Sequence, residues 1–282
     1  MNYFKTFLLM TGLLALMMFI GQLIGGAQGM FTFFMFGLIT NFISYWFSDK
    51  IVLMFSGAKK TQENDIPQVY RIIKELTQKA NLPMPKIYIM ETAVPNAFAT
   101  GRNPKNAAVA VTTGILQLLE EHELRGVLAH ELAHVQNRDI LISTVASSIA
   151  GAIMMMSRMA LWFGPRNRDD DHSSSNPIVL IIIAILAPIA AMIIQMAISR
   201  SREFGADTGG AKITGDPLSL ASALKKLQTG ISAMKPTEPN PATAHLYIVS
   251  PFTGKSLVTL FSTHPPMEER VKRLETLAAQ IS

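Results

Sequence analysis

Long apolar runs alternate with mixed, amphipathic stretches along the chain. Residues 7–24 and 30–47 are each apolar enough to cross a bilayer as a helix. Gly25, Gly26 and Gly29 between them predict a turn, and no Asp, Glu, Lys or Arg occurs from Thr6 to Ser48. The pair predicts an N-terminal helical hairpin. A cleaved signal peptide is the alternative for the first run, but the second run follows at once and no A-x-A-like site stands out. A third run begins at Asp139 or Ile140 and continues to about Phe163, interrupted by Arg158. A fourth covers 177–198 and includes Pro188, which membrane helices tolerate. These two predict a second hairpin, with a buried pair of core helices as the rival reading. The polar, low-complexity stretch 164–176 reads as a solvated loop. Its Asp169, Asp170, Asp171 and His172 are too loosely held for a rigid metal site.

Between and after the runs, the periodicity is that of a small folded domain. Residues 65–80 predict a helix with Asp65 as N-cap, Pro67 in the first turn and Ile66, Val69, Ile72, Ile73 and Leu76 as the buried stripe. Pro83 and Pro85 end it. Residues 86–90 and 107–111 are strand-like, and the stretch from Asn96 to Gly101 joins them. Asn96, Ala97, Phe98 and Ala99 read either as a loop-to-strand junction or as an exposed edge strand able to pair with an extended peptide. Further helices are predicted over 120–138, from Asp216-Pro217 to about Thr229, and over 267–279, the last with Val271, Leu274 and Leu277 as its stripe. The expected fold is mostly α with a small β-sheet, an α+β zincin-like domain carried by two helical hairpins. The boundaries read 1–48 and 140–198 for the hairpins, 49–139 and 199–282 for the two parts of the domain.

Composition sharpens this picture. Of 282 residues, 49% are hydrophobic and 16% charged, too few charges for an ordinary soluble enzyme. The net charge of +5 comes without a compact Lys/Arg cluster, which favours contact with anionic lipid over nucleic acid. Lys50, Lys59 and Lys60 follow the second run while the glycine turn is uncharged, so the positive-inside rule places the N-terminus and the following domain in the cytoplasm. The absence of cysteine excludes disulfides and thiolate ligands.

The chemistry centres on His130-Glu131-Leu132-Ala133-His134. Two histidines four apart share one helix face and can offer both imidazoles to one Zn²⁺, while Glu131 reaches a water in the open position. Zinc brings the pKa of such a water to about 7, and the carboxylate takes its proton as it attacks a polarised carbonyl. Two surface histidines flanking a helical glutamate, without metal, would be the bland account. The apolar positions Leu124, Val127, Leu128, Leu132 and Val135 argue for a buried, rigid helix.

Two-histidine sites need a third ligand. Asn137 and Ile140 stand where a metzincin would have Gly and His, so a downstream carboxylate is required. Glu203 is the choice, with Asp207 one turn on orienting a ligand histidine. The alternative is a solvated acidic helix face. For His134 and Glu203 to meet, the intervening chain must cross the membrane an even number of times, as runs three and four allow. With His134 six residues before Ile140 on a continuing helix, the site would lie about 9 Å from the membrane-entering end. His264, in His264-Pro265-Pro266, either caps the last helix or stabilises the oxyanion formed during attack. His122 and His245 lack supporting context.

Four pieces in order, N-A-F-A-T-G at 96–101, H-E-L-A-H at 130–134, S-R-E-F-G-A-D at 201–207 and T-H-P-P-M-E-E-R at 263–270, resemble the HtpX-type membrane zinc metalloproteases, a bacterial family related to the eukaryotic CAAX prenyl protease. The resemblance implies one zinc per chain held by His130, His134 and Glu203, with Glu131 as base and His264 as the transition-state histidine. It implies that Asn96–Ala99 is similar to a substrate-binding edge strand. It also implies a cytoplasm-facing protease of the bacterial inner membrane, induced by envelope or heat stress, that degrades misfolded membrane proteins. A membrane-anchored scaffold with a structural zinc is the rival of a different class. An intramembrane protease is a nearer rival, opposed by Glu120, Glu121, Glu123, Arg125, Arg138 and Asp139 around the motif.

Overall fold

A computed structural model describes residues 2–143, 145, 200–234, 246–249 and 265–281. Run four, the 164–176 loop, His264 and nearly all of run three lie outside the described residues, and so does the predicted second hairpin.

Helix α1 (Asn2–Phe55) is not one rod. Gly26 takes φ +57°, a left-handed conformation that a residue without Cβ adopts at little cost. Beyond it the helix folds back, so that the Asn41 side-chain amide donates to the Met10 carbonyl at 3.0 Å. In a straight helix those residues would be about 46 Å apart. The stretch Gly26–Phe47 is the one helix among the described residues long and apolar enough to cross a membrane. Phe31, Phe36, Phe42, Trp46 and Phe47 on it are exposed, as a lipid-facing surface requires.

A four-stranded mixed sheet follows, in the order β1-β2-β4-β3, with β1 (Lys59–Lys60), β2 (Lys86–Met90), β3 (Ala97–Gly101) and β4 (Ala107–Thr112). β2 and β4 are parallel, whereas β3 returns antiparallel to β4 in the register Phe98↔Ala110 and Ala99↔Val109. Among the described residues, β3 is therefore an edge strand. Phe98 packs with Met90 and with Val52 and Leu53 from the end of α1, so the edge strand rests on the foot of the membrane-length arm.

Helix α2 (Pro67–Ala80) buries Val69, Ile72, Ile73 and Leu76. Its N-cap is Ile66 rather than Asp65, whose carboxylate instead accepts from the Gln62 amide in the preceding turn. The short α3 (Thr113–Leu118) was not expected from the pattern. It leads into α4 (Glu121–Gln136), which carries the two histidines and is buried along most of its length. That helix does not continue into run three, which overturns the 9 Å spacing estimate. Arg138 takes φ +59° and the Asp139 amide bonds back to the His134 carbonyl, so the chain turns sharply after Asn137.

Three further helices lie among the described residues: α5 (Arg200–Thr214), α6 (Pro217–Ser232), capped by the Asp216 carboxylate, and α7 (Met267–Ile281). Buried Glu123 ties α4 to α6 by accepting from Ser222 Oγ (2.7 Å) and Lys226 Nζ (2.8 Å). Helices α4 and α5 approach most intimately over Gly210, where a Cβ would lie 2.8 Å from the His130 backbone nitrogen. Only glycine lets the backbones come that close, and this contact brings the acidic face of α5 onto the histidine face of α4.

Candidate metal centre

His130, Glu131 and His134 project from α4, the first two buried, and Glu203 from the first turn of α5. One donor atom from each of His130, His134 and Glu203 can be chosen so that all lie within 4.8 Å of one another. His130 Nε2 is 3.8 Å from Glu203 Oε2, and His134 Nε2 is 3.6 Å from Glu203 Oε1. These gaps are too long for hydrogen bonds. They are close to the roughly 3.4 Å that separates two ligands on one tetrahedral zinc. The imidazoles meet nearly edge to face, at 84°, with both Nε2 atoms turned toward the same carboxylate.

The other imidazole nitrogens have partners too. His130 Nδ1 lies 3.0 Å from Asp207 Oδ1, and His134 Nδ1 lies 3.4 Å from Asp139 Oδ2. A carboxylate holding the Nδ1 proton leaves the Nε2 lone pair free for a metal. The donor set, with hard oxygen, borderline nitrogen and supported tautomers, fits zinc. Sequence reasoning selected Asp207 but read Asp139 as the start of an apolar run and as one of the charges around the motif, without a role beside His134. The left-handed turn at Arg138 is what folds Asp139 back onto His134.

Arg270 of α7 was also missed. It is fully buried and grips Asp207 with Nη2 on Oδ1 (2.7 Å) and Nε on Oδ2 (3.0 Å). A sequence signal existed: Arg270 falls within the apolar stripe of its helix, next to Val271 and one turn before Leu274.

The electrostatics of the centre follow from burial and partners. Burial raises the Glu131 carboxyl, and nearby Glu203 adds to this, against the pull of both histidines and of a backbone amide. That amide is Ala99 N–H, which donates to Glu131 Oε2 at 2.9 Å. For His134, burial disfavours the charge, but Asp139, Glu203 and Glu131 outweigh it and raise the group to about 9. Asp207 is held below the usual carboxylate range despite its burial, through His130 and Arg270. Burial lowers Arg202, whose terminal nitrogens have no hydrogen-bond partner among the described residues.

A small cleft of about 70 Å³ opens over these groups, lined on one side by Phe98 and Ala99 and on another by Leu246 and Ile248. The alternation of antiparallel pairing directs the Ala97 and Ala99 backbone groups away from β4, as the Ala99–Glu131 bond requires. Asn96 is turned the other way. Its side-chain amide donates to the Leu246 carbonyl at 3.2 Å, and its Oδ1 accepts from the Ile248 amide at 3.1 Å. It thus holds a distant segment of its own chain as the wall of the cleft. Of the residues singled out by sequence, Ala97, Phe98 and Ala99 lie on the edge strand and Asn96 just before it, while the structure brings His130, Glu131, His134, Glu203 and Asp207 together.

The sequence matches "Peptidase family M48" over residues 62–278. A "Protease HtpX homolog" from Burkholderia ambifaria (strain MC40-6) is 53% identical over 279 residues, covering 98% of this chain and 97% of that one. Proteins with the same description are 54% identical in Ralstonia pickettii (strain 12J), with the same coverage, and 51% identical in Syntrophobacter fumaroxidans (strain DSM 10017 / MPOB), covering 97% of this chain and 99% of that one. The crystal structure of S. mikatae Ste24p gives a TM-score of 0.49 at 17% identity over 84% of this chain and 56% of that one, too weak a likeness to add to the assignment. The matched region runs from the β1–α2 connection through most of α7 and takes in every residue around the metal centre, and on that breadth the chain belongs to peptidase family M48, as a membrane zinc metalloprotease.

Proposed function

We propose that His130, His134 and Glu203 hold one zinc ion and that Glu131 is the general base of peptide-bond hydrolysis. The observation that carries this reading is the convergence of the three donors within 4.8 Å, with the Glu131 carboxylate lining the same cleft. Zinc bound there supplies Lewis acidity for the scissile carbonyl and lowers the pKa of the attacking water. Glu131 takes the proton from that water at a carboxylate oxygen and passes it to the leaving amine. Its raised proton affinity suits both halves of that task. The Ala99 amide fixes the carboxylate's orientation, so the edge strand and the base are set in one frame.

An extended substrate would lie along the outer edge of β3, using the outward backbone groups of Ala97 and the Ala99 carbonyl, with Phe98 between them. Asn96 shapes the opposite wall through Leu246 and Ile248. His264 would stabilise the transition-state oxyanion. Packing of Phe98 on Val52 and Leu53, a few residues beyond the membrane-length helix, supports a cleft near the bilayer surface, open to membrane-embedded substrates. Misfolded or damaged proteins of a bacterial inner membrane are the proposed substrates, cut on the cytoplasmic side by a multi-pass enzyme. In that arrangement residues 1–48 and 140–198 form membrane hairpins, and 49–139 and 199–282 form the protease domain.

Zinc content and cleavage of an unfolded model protein test this, with wild type and Glu131→Gln compared in detergent. Glu131→Gln is expected to keep about one zinc per chain and to lose about 10²- to 10⁴-fold in turnover. Equal turnover in both would remove Glu131 from the mechanism.

A further inference from the structure

Arg270 is an unusual residue to find entirely inside this domain. It comes from α7, the last described helix, more than sixty residues beyond Asp207 in sequence. Its fork closes on both oxygens of Asp207, while Asp207 Oδ1 also faces His130 Nδ1. Nη2 stands 3.4 Å from His130 Nε2. The remaining nitrogen, Nη1, is buried without a hydrogen-bond partner among the described residues and lies 3.7 Å from Glu203 Oε2. One guanidinium thus reaches two of the three proposed ligands, His130 both through Asp207 and at close range, and Glu203 at 3.7 Å. Burying a charge so completely is costly unless it is paired and hydrogen-bonded, and Nη1 has the ion pair with Glu203 without a hydrogen bond among the described residues.

We propose that Arg270 is a positioning residue that couples zinc loading to docking of the C-terminal helix α7. This rests on the metal site proposed above. Arg270 fixes Asp207, and Asp207 fixes the His130 tautomer. Were Glu203 to hold zinc, its carboxylate would be fixed beside Nη1, 3.7 Å away, and could accept the hydrogen bond that Nη1 does not make among the described residues. That tie between α5 and α7 would strengthen on zinc binding, and by reciprocity a docked α7 would strengthen zinc binding. Lysine at 270 keeps the charge but cannot bond both Asp207 oxygens while facing Glu203.

Two readouts on the full-length protein in detergent test the coupling: zinc affinity by competition with a chromogenic chelator, and amide hydrogen exchange of residues 267–281 with and without one equivalent of zinc. In wild type, zinc is expected to slow exchange across α7. Arg270→Lys, checked as folded by circular dichroism, is expected to bind zinc about 10- to 100-fold more weakly and to lose most of the zinc-dependent protection. If Arg270→Lys fails to fold, the wild-type exchange experiment alone decides. Exchange in α7 indifferent to zinc, or a folded Arg270→Lys with wild-type affinity, overturns the coupling while leaving the ligand assignment intact. Undiminished zinc binding by a His130→Ala, Glu203→Ala variant would instead overturn the ligand assignment, and the coupling with it.

Discussion

Gly210→Ala tests how the centre is assembled. The added Cβ would lie 2.8 Å from His130 N, 3.0 Å from His130 Cα and 3.1 Å from the Ala129 carbonyl carbon. All three are backbone atoms in the middle of a buried helix, so no side-chain rotation relieves the clash. Restoring ordinary contact moves α5 away from α4 by about 0.6 Å, an overpacking that costs about 1–3 kcal/mol. Replacing a helical glycine by alanine returns about 1 kcal/mol. Gly205 gives the matched control, because it lies on the same helix with nothing among the described residues within 4 Å of its Cβ position. Gly205→Ala should therefore stabilise by about 1 kcal/mol. The two variants should differ by about 1–3 kcal/mol in urea denaturation of the metal-free protein in detergent. The same displacement stretches the His130–Asp207 contact of 3.0 Å beyond hydrogen-bond range, so zinc affinity should fall about tenfold or more in Gly210→Ala alone. Equal stability and equal zinc affinity in the two variants would refute the packing described here.

Three further outcomes are expected. Because His134 in the metal-free protein is raised from 6.5 to about 9, it carries a proton at pH 7 that zinc must displace, so calorimetric titration in buffers of different ionisation enthalpy should report about one proton released per zinc. A folded pKa above the unfolded value stabilises fully below pH 6.5 and loses that contribution as pH rises through about 9. The metal-free protein should then be up to about 3 kcal/mol less stable at pH 10 than at pH 6 from this group, and Asp139→Asn should reduce the difference. Glu123→Ala removes the acceptor of Ser222 and Lys226 between α4 and α6 and should cost about 1–3 kcal/mol by denaturant midpoint, leaving the zinc stoichiometry unchanged.

Where function depends on local spacing, the sequence by itself was sufficient. His130 and His134 share a face because a helix repeats every 3.6 residues, and Glu203 and Asp207 do so for the same reason. Strand β2 and helices α2, α4, α6 and α7 were legible from periodicity and from proline and asparagine punctuation, to within a few residues. The edge strand was half-legible: Ala97–Gly101 has strand character, but its place beside β4 is a matter of pairing, which local pattern does not encode. Three features were decided only in three dimensions. The turn at Arg138 folds Asp139 onto His134, against the continuous helix that the apolar pattern implied. Asn96 reaches across some 150 residues of sequence to hold Leu246 and Ile248. Arg270 arrives from the other end of the domain to clamp Asp207. The reason is common to all three. Hydrophobic period and helix register are written in neighbouring residues, whereas the groups that orient a metal ligand are chosen by which helices can approach, and that depends on packing such as the Gly210 contact.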